Sequence, residues 1–203
     1  MNLTKLKSFL LLTLSMQACI FPVRGEVERI TVKWEPLVCK ESCVQGIVRE
    51  LVSVAGVAEI VINSDQGAAN IRWKPRLPFS FTFISNAVGV IGPRILDARV
   101  QVRGTLLATN SAILLESLGD NTRFVLMSPA KQTFSGNVPQ NSFETHILAP
   151  ELRQQFMDGI RDSCVVTVKG PLLQWQQGGL YLIVEEATFN RLGGNSIRGS
   201  STP

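Results

Sequence analysis

The chain contains a single histidine, His146, among its 203 residues. One imidazole excludes zinc sites built from several histidines and leaves little basis for histidine-dependent catalysis. The sequence also lacks a phosphate-binding loop, a nucleotide-binding glycine fingerprint and a Ser-His-Asp set. The adjacent carboxylates Glu185 and Glu186 would point to opposite faces of a strand, so they do not form an acid–base pair. We therefore expect that the protein is not an enzyme.

A basic surface is also missing from most of the chain. Lys and Arg outnumber Asp and Glu by 20 to 16, but three of the basic residues lie in the first 25 positions, which hold no acid. The rest of the chain carries 17 bases against 16 acids and is nearly neutral. Nucleic acid is therefore disfavoured as a partner. The apolar fraction of 45% and the charged fraction of 18% are typical of a chain that folds.

No apolar run reaches the length of about 20 residues that a membrane-spanning helix needs. The first run, Ser8–Phe21, follows Lys5 and Lys7. A basic start followed by a short apolar run and small residues is typical of a secretory signal peptide. We interpret residues 1–25 as that signal, cleaved before Glu26, and we expect an exported protein, periplasmic or secreted.

Lipid attachment is the alternative to plain cleavage. The run Met16-Gln-Ala-Cys19 loosely resembles a lipoprotein cleavage box that ends in cysteine, so a lipid anchor at Cys19 would be the only link to a membrane. Without residues 1–25 the chain keeps Cys39, Cys43 and Cys164. Three is an odd number, so at least one thiol stays free or pairs between chains.

Strand and helix patterns alternate through the first half of the chain. Alternating β-branched residues predict strands, and apolar residues at steps of three and four predict helices. In the second helix the stripe runs through Phe79, Phe83, Ala87 and Ile91, and we expect these aromatic rings to lie in the core. The order is βαββαβ, with strands at 29–34, 57–63, 68–73 and 94–102 and helices at 43–55 and 79–91.

This order, together with three stretches of residues, resembles the heavy-metal-associated domain. The stretches are the cysteines at the start of the first helix, the run Leu51-Val-Ser-Val-Ala-Gly-Val57, and the hairpin from Ile60 to Trp73. The resemblance covers residues 28–100. It implies a ferredoxin-like fold in which Cys39 and Cys43 would bind a soft metal ion such as Cu(I).

Three uses of the cysteine pair stay open. The family motif is Met-x-Cys-x-x-Cys, whereas this chain has Cys39 and Cys43 with three residues between them and no preceding Met. A helix N-terminus favours thiolates, and thiolates select soft ions. The same pair could instead close a small disulfide loop in an oxidising compartment. Thiol–disulfide exchange is disfavoured because it normally uses Cys-x-x-Cys.

Five strands with one helix predict a barrel in the second half. The strands are predicted at 99–107, 112–116, 122–127, 164–173 and 180–189, and the helix at 149–160 lies between the third and fourth strands. This is the element order of the OB-fold. Gly104 and Gly170 occupy the same place in two similar strand sequences, where a glycine lets a barrel strand bend.

The sequence thus predicts an α+β protein with two domains. We place a ferredoxin-like domain at 26–97, an OB-like barrel at 98–190 and a disordered tail at 191–203. Residues 94–104 contain no Pro/Ser-rich gap, so we expect no flexible linker between the domains.

The expected function follows one of two hypotheses. In the first, Cys39 and Cys43 bind a soft metal such as Cu(I). In the second, the cysteines are structural, and the barrel binds an envelope protein or an oligosaccharide through Trp175, Arg123 and Phe124. OB-folds commonly use aromatic and basic residues near the second and third strands for such contacts.

Overall fold

The computed structural model describes residues 27–35, 41–129, 148–174, 179–191 and 197–199. These residues form three helices and ten strands. The helices are α1 (Glu41–Ser53), α2 (Phe81–Gly89) and α3 (Pro150–Arg161). The strands are β1 (Val27–Trp34), β2 (Val57–Asn63), β3 (Ala68–Trp73), β4 (Ile95–Ala108), β5 (Ile113–Ser117), β6 (Arg123–Met127), β7 (Val165–Gln174), β8 (Leu180–Ile183), β9 (Glu186–Asn190) and β10 (Ile197–Gly199). None of the described helices is long and apolar enough to cross a membrane.

The first half has the predicted βαββαβ order. Its strands form an antiparallel sheet in the order β4-β1-β3-β2, and α1 and α2 contact each other on one face. That face is apolar, since α1 buries Ile47 and Leu51 and α2 buries Ile84 and Val88. The other face of the sheet is polar, which is the usual pattern of an antiparallel sheet covered on one side.

The second half is a closed five-stranded barrel. Its strands follow the order β4-β5-β6-β8-β7, and β7 pairs with β4 to close the ring. The pair β6–β8 is parallel, and α3 lies between β6 and β7 in the chain. These features are compatible with an OB-fold. The completely buried Phe156 anchors α3 in the core, and Gly159 of the same helix packs against Phe189 and Leu106.

Strand β4 belongs to both halves. Along one edge, Ile95–Val102 pairs with β1 and Gly104–Ala108 pairs with β5. Along the other edge, Arg99–Thr105 pairs with β7. The two halves therefore share one hydrogen-bonded sheet, and no described segment between them is free of pairing.

Gly104 and Gly170 lie where barrel strands cross closely. A Cβ atom on Gly104 would clash with the carbonyl oxygen of Glu116, and one on Gly170 would clash with that of Ile183. The repeated sequence around the two glycines therefore marks close backbone approach in the barrel.

Two predicted elements differ from the structure. The fifth barrel strand, predicted as one element at 180–189, is divided at Val184 and Glu185 into β8 and β9. These two residues donate backbone hydrogen bonds to Met127 and Lys169, which redirects the strand from β6 toward β7. Within the tail expected to be disordered, residues 197–199 pair with β9 as β10. The predicted signal, residues 1–25 with Cys19, lies outside the described residues.

Candidate functional site

Cys43 lies half-buried in the first turn of α1 and is disulfide-bonded. The second predicted ligand, Cys39, lies outside the described residues. A sulfur held in a disulfide is not a thiolate, so it cannot coordinate a soft metal until it is reduced. Within the described ranges, no cluster of three or more His, Cys, Asp or Glu side chains could hold a metal ion.

Cys164 is a free, buried thiol at the start of β7. The nearby surface carries an ion pair between Arg191 and Asp162, with 2.6 Å between Nη2 and Oδ2. The hydrogen bond to Asp162 raises the pKa of Arg191, which favours the charged guanidinium. Because Cys164 itself is buried, it lacks the exposure of a reactive thiol.

Of the three residues proposed for the barrel ligand, the structure describes Phe124 and Arg123. Phe124 is completely buried, and its ring stacks on Phe79 with 5.9 Å between centroids. Arg123 is exposed on β6, and its Nε lies 2.7 Å from Oε2 of Glu116 on the neighbouring strand. Trp175 lies outside the described residues. Phe124 thus fills the core between the two halves and offers no ring surface to a ligand.

An apolar groove lies between the two helices of the first half. This helical groove has a volume of about 640 Å³. The C-terminal end of α1 forms one wall, α2 forms the other, and Trp73 with the loop after β3 closes the end. Its apolar lining includes Val54, Trp73, Leu77, Phe83, Ala87 and Val90.

The groove concentrates apolar side chains that a folded chain normally covers. Phe83 is 60% exposed and Val90 is 74% exposed, although both lie beside the buried Ala87 in the groove. Among the residues that the structure describes, Glu50 is the one charged residue that lines the groove. Large contiguous apolar patches on a protein surface commonly mark binding sites.

Local structure holds the groove open. A Cβ atom on Gly56 would clash with the indole of Trp73, so this glycine lets the ring reach the turn after α1. The indole Nε1 donates a hydrogen bond of 3.0 Å to the carbonyl oxygen of Leu77. Arg76 takes a φ of 63°, a left-handed conformation that turns the loop toward the ring. The loop is thereby fixed against Trp73 and does not cover Phe83 or Val90.

The sequence pattern identified α2 correctly but assigned Phe83 to the core. Helical periodicity shows which residues share a face, and it does not show whether another element covers that face. The sequence feature that could have indicated an exposed face is the width of the apolar stripe on α2. Phe83 and Val90 extend the apolar surface beyond the buried Ile84, Ala87 and Val88, so the apolar face of α2 is wider than its contact with the core.

A second cleft lies between the start of α2 and the end of β7. Phe81, Leu96, Pro171 and Leu173 line it. The amide Nε2 of Gln174 donates a hydrogen bond of 2.8 Å to Oγ1 of Thr82 and joins its two sides. The predicted contact residue Trp175 follows Gln174 directly in the sequence.

A scan against protein-family models finds no match to this chain, and a search of curated proteins finds no matching relative either.

Proposed function

We propose that this chain is an exported, non-catalytic protein that binds an apolar segment of a partner protein in the helical groove. One observation carries the proposal: the exposed Phe83 and Val90 converge on a single apolar groove with Leu77. Two of the barrel residues expected to bind a ligand support this choice of site, since Phe124 is buried and Arg123 is ion-paired with Glu116.

The chemistry of the groove suggests the form of its partner. Two helices and an apolar end wall fit an amphipathic helix whose apolar side chains recur every three or four residues. A volume of about 640 Å³ is in the range of sites that bury large apolar groups. Glu50 at the rim favours a partner segment that carries Lys or Arg beside its apolar face.

The fold supports a ferredoxin-like domain of the heavy-metal-associated type for the first half. The βαββαβ order and the sheet order β4-β1-β3-β2 are those of the ferredoxin-like fold. Cys43 lies in the first turn of α1, where that family places its second cysteine. We propose the relationship on these features and on the sequence resemblance together.

We further propose that Cys39 is the disulfide partner of Cys43. The two residues are close in sequence, Cys43 is oxidised, and Cys164 is a free thiol in the barrel. The disulfide would then fix the loop before α1. Cys43 and Ser53 are ten residues apart on α1, which corresponds to about 15 Å along the helix axis. Binding in the groove at the far end of α1 therefore needs no contact with the cysteines.

Metal binding is the alternative role of the cysteine pair, and a Cu(I) titration separates the two. The reduced chain would be compared with the Cys39→Ser/Cys43→Ser variant against a competing chelator. We expect equally weak binding by both proteins. Tight binding of one ion per chain that disappears in the variant would make metal handling the function of the pair.

An NMR titration tests the groove proposal. Isotope-labelled chain from Glu26 to Pro203 would be titrated with a synthetic amphipathic helix of Leu and Lys residues. We expect amide shifts around Phe83 and Val90. The Phe83→Ser variant should bind about tenfold more weakly or worse, because losing the burial of a large apolar side chain costs about 1.5–3 kcal/mol.

The matched control is Leu96→Ser. Leu96 is 63% exposed, close to the exposure of Phe83, but it lies in the second cleft. This variant should bind the peptide like the unmodified chain. The proposal fails if shifts map to Arg123 and β6, or if Phe83→Ser leaves the affinity unchanged. An oligosaccharide titrated in parallel tests whether the barrel binds glycan.

A further inference from the structure

β2 is the last strand at one end of the sheet. It pairs with β3 on one side, and its outer edge has no strand partner among the described residues. The backbone N–H and C=O groups along such an edge can pair with another strand.

Common features that protect edge strands are absent from Val57–Asn63. The segment contains no Pro, Lys or Arg, and its only charged residue is Glu59. That carboxylate is already paired within the chain, with 2.9 Å between its Oε2 and Nη2 of Arg72 on β3. The pairing with β3 is irregular only between Val57 and Glu59, so Glu59–Asn63 is a straight, regular stretch.

Apolar side chains are exposed at this edge on both faces of the sheet. Ile60 and Ile62 pack against the core on the face that the helices cover, so Val61, 56% exposed, lies on the opposite face. On the covered face, Val52 of α1 is 65% exposed. Glu50 and Ser53 of α1 line the helical groove toward α2, so Val52 and the half-buried Val48 lie on the opposite flank of the helix. Because α1 packs on β2, that flank overlies the edge of the sheet.

We propose that two copies of this chain associate through β2, antiparallel, around a twofold axis at Val61. Val61 is the central residue of the regular stretch, so this register uses the whole stretch symmetrically. It places Ile60 opposite Ile62 of the second copy and Glu59 opposite Asn63 of the second copy. No like charges face each other across the axis, and apolar residues meet apolar residues.

The same arrangement covers the apolar flank of α1. A twofold axis perpendicular to the sheet keeps both pairs of helices on one side, so the two Val48–Val52 flanks face each other above the joined strands. A foreign peptide strand would pair with the backbone but would bring no matching helix flank. The second copy is therefore the occupant that accounts for both the strand edge and Val52.

Association through β2 is independent of the proposed binding function. The helical groove lies on the other flank of α1, so a dimer would present two open grooves. A partner with two apolar segments could then bind both grooves and gain avidity.

Analytical ultracentrifugation of the chain from Glu26 to Pro203, with light-scattering mass, tests the proposal. We expect twice the mass of one chain. The Val61→Lys variant should be monomeric, because the two new ammonium groups would face each other at the axis. Circular dichroism checks that this exposed substitution leaves the fold intact. The control Val90→Lys, also at an exposed apolar position, should remain dimeric.

A cysteine scan fixes the register. Under oxidation Val61→Cys should form a covalent dimer, because residue 61 faces itself across the axis. Asn63→Cys should not, since two copies of residue 63 would be four residues apart along the strand direction, about 13 Å. A monomeric mass for the unmodified chain overturns the proposal. A dimer that survives Val61→Lys and is lost in Val90→Lys overturns it as well, and would locate the interface at the groove.

Discussion

At the scale of single residues, small changes in side-chain volume and hydrogen bonding decide how the strands meet. Gly104 and Gly170 allow neighbouring backbones to approach where any Cβ atom would clash. Trp73 and Trp34 are both buried indoles, and the Nε1 of Trp73 donates a hydrogen bond to the carbonyl oxygen of Leu77. The Nε1 of Trp34 is buried without a hydrogen-bond partner in the described structure.

Gly170→Ala should destabilise the protein strongly. The new methyl group would overlap the carbonyl oxygen of Ile183, and the strand would have to shift. Overpacking of this kind costs about 1–3 kcal/mol or more. Urea unfolding measures the change. Gly89→Ala is the control, because a Cβ atom there meets nothing within 4 Å at the end of α2, and the helix should gain up to about 1 kcal/mol. Equal stabilities for the two variants would contradict the close approach.

Trp34→Phe should cost less stability than Trp73→Phe. Both changes remove similar volume, but only the change at Trp73 also breaks the hydrogen bond to Leu77. The unpaired Nε1 of Trp34 already carries the cost of a buried donor, about 1–3 kcal/mol, and Phe removes that cost. Thermal unfolding of the two variants checks the order. A larger loss at Trp34 would show that its ring packing outweighs the unpaired donor.

At the scale of elements, the turn between β5 and β6 holds the loop before α2. Asp120 accepts hydrogen bonds from the hydroxyl groups of Ser117 and Thr122 and from the backbone N–H of Phe79, the last at 3.0 Å. Phe79 then stacks on Phe124 and meets Trp73 edge-on, with 5.3 Å between centroids. The position of this loop, and hence of the end wall of the groove, depends on a turn of the barrel.

Asp120→Ala should release the loop before α2 and destabilise the chain by about 2 kcal/mol or more. The change removes an acceptor from the buried Ser117 and from the amide of Phe79, and hydrogen bonds to charged groups contribute about 1.5–3 kcal/mol. Hydrogen exchange at the Phe79 amide should accelerate. Asp65→Ala, at an exposed acid in the turn between β2 and β3, should change neither quantity. Unchanged exchange at Phe79 in Asp120→Ala would refute this coupling.

At the scale of the whole molecule, β4 determines how the protein behaves as a unit. Its first residues complete the sheet of the first half, and its last residues close the barrel. Ala98, Val100 and Val102 of this strand are buried in the shared core. Neither half can lose β4 without exposing a sheet edge and part of its core.

We therefore expect one cooperative unfolding transition. Hydrogen exchange with mass analysis should give the same global free energy of unfolding for amides in β3 and in β6, since both depend on β4. Separate fragments 26–97 and 98–190, cut at the predicted domain boundary within β4, should each fail to fold. Two separated transitions, or a folded fragment 98–190, would show that the halves are independent.

Local sequence patterns determined the kinds of elements and their order in this protein. Apolar periodicities of two and of three to four residues located strands and helices in both halves, because backbone geometry alone sets those periods. The element order, with the helix between the third and fourth barrel strands, predicted the closed barrel and the α+β class. Gly104 and Gly170 could be predicted as special positions of the barrel, because a glycine in the middle of a strand usually marks a bend or a close backbone approach.

Which faces of these elements are covered depends on the packing of segments that are distant in the chain. The stripe on α2 predicted a helix, but the loop fixed by Trp73 leaves Phe83 exposed. The sequence predicted Phe124 as an aromatic residue that contacts a ligand on the barrel surface. In the structure Phe124 is buried, and Phe79 from the other half stacks on its ring. The sharing of β4 between two sheets also depends on pairings between residues far apart in the chain. The periodicity of a segment shows which of its residues share a face. Whether that face is exposed depends on which distant segment packs against it, and this is determined by the packing of the whole chain.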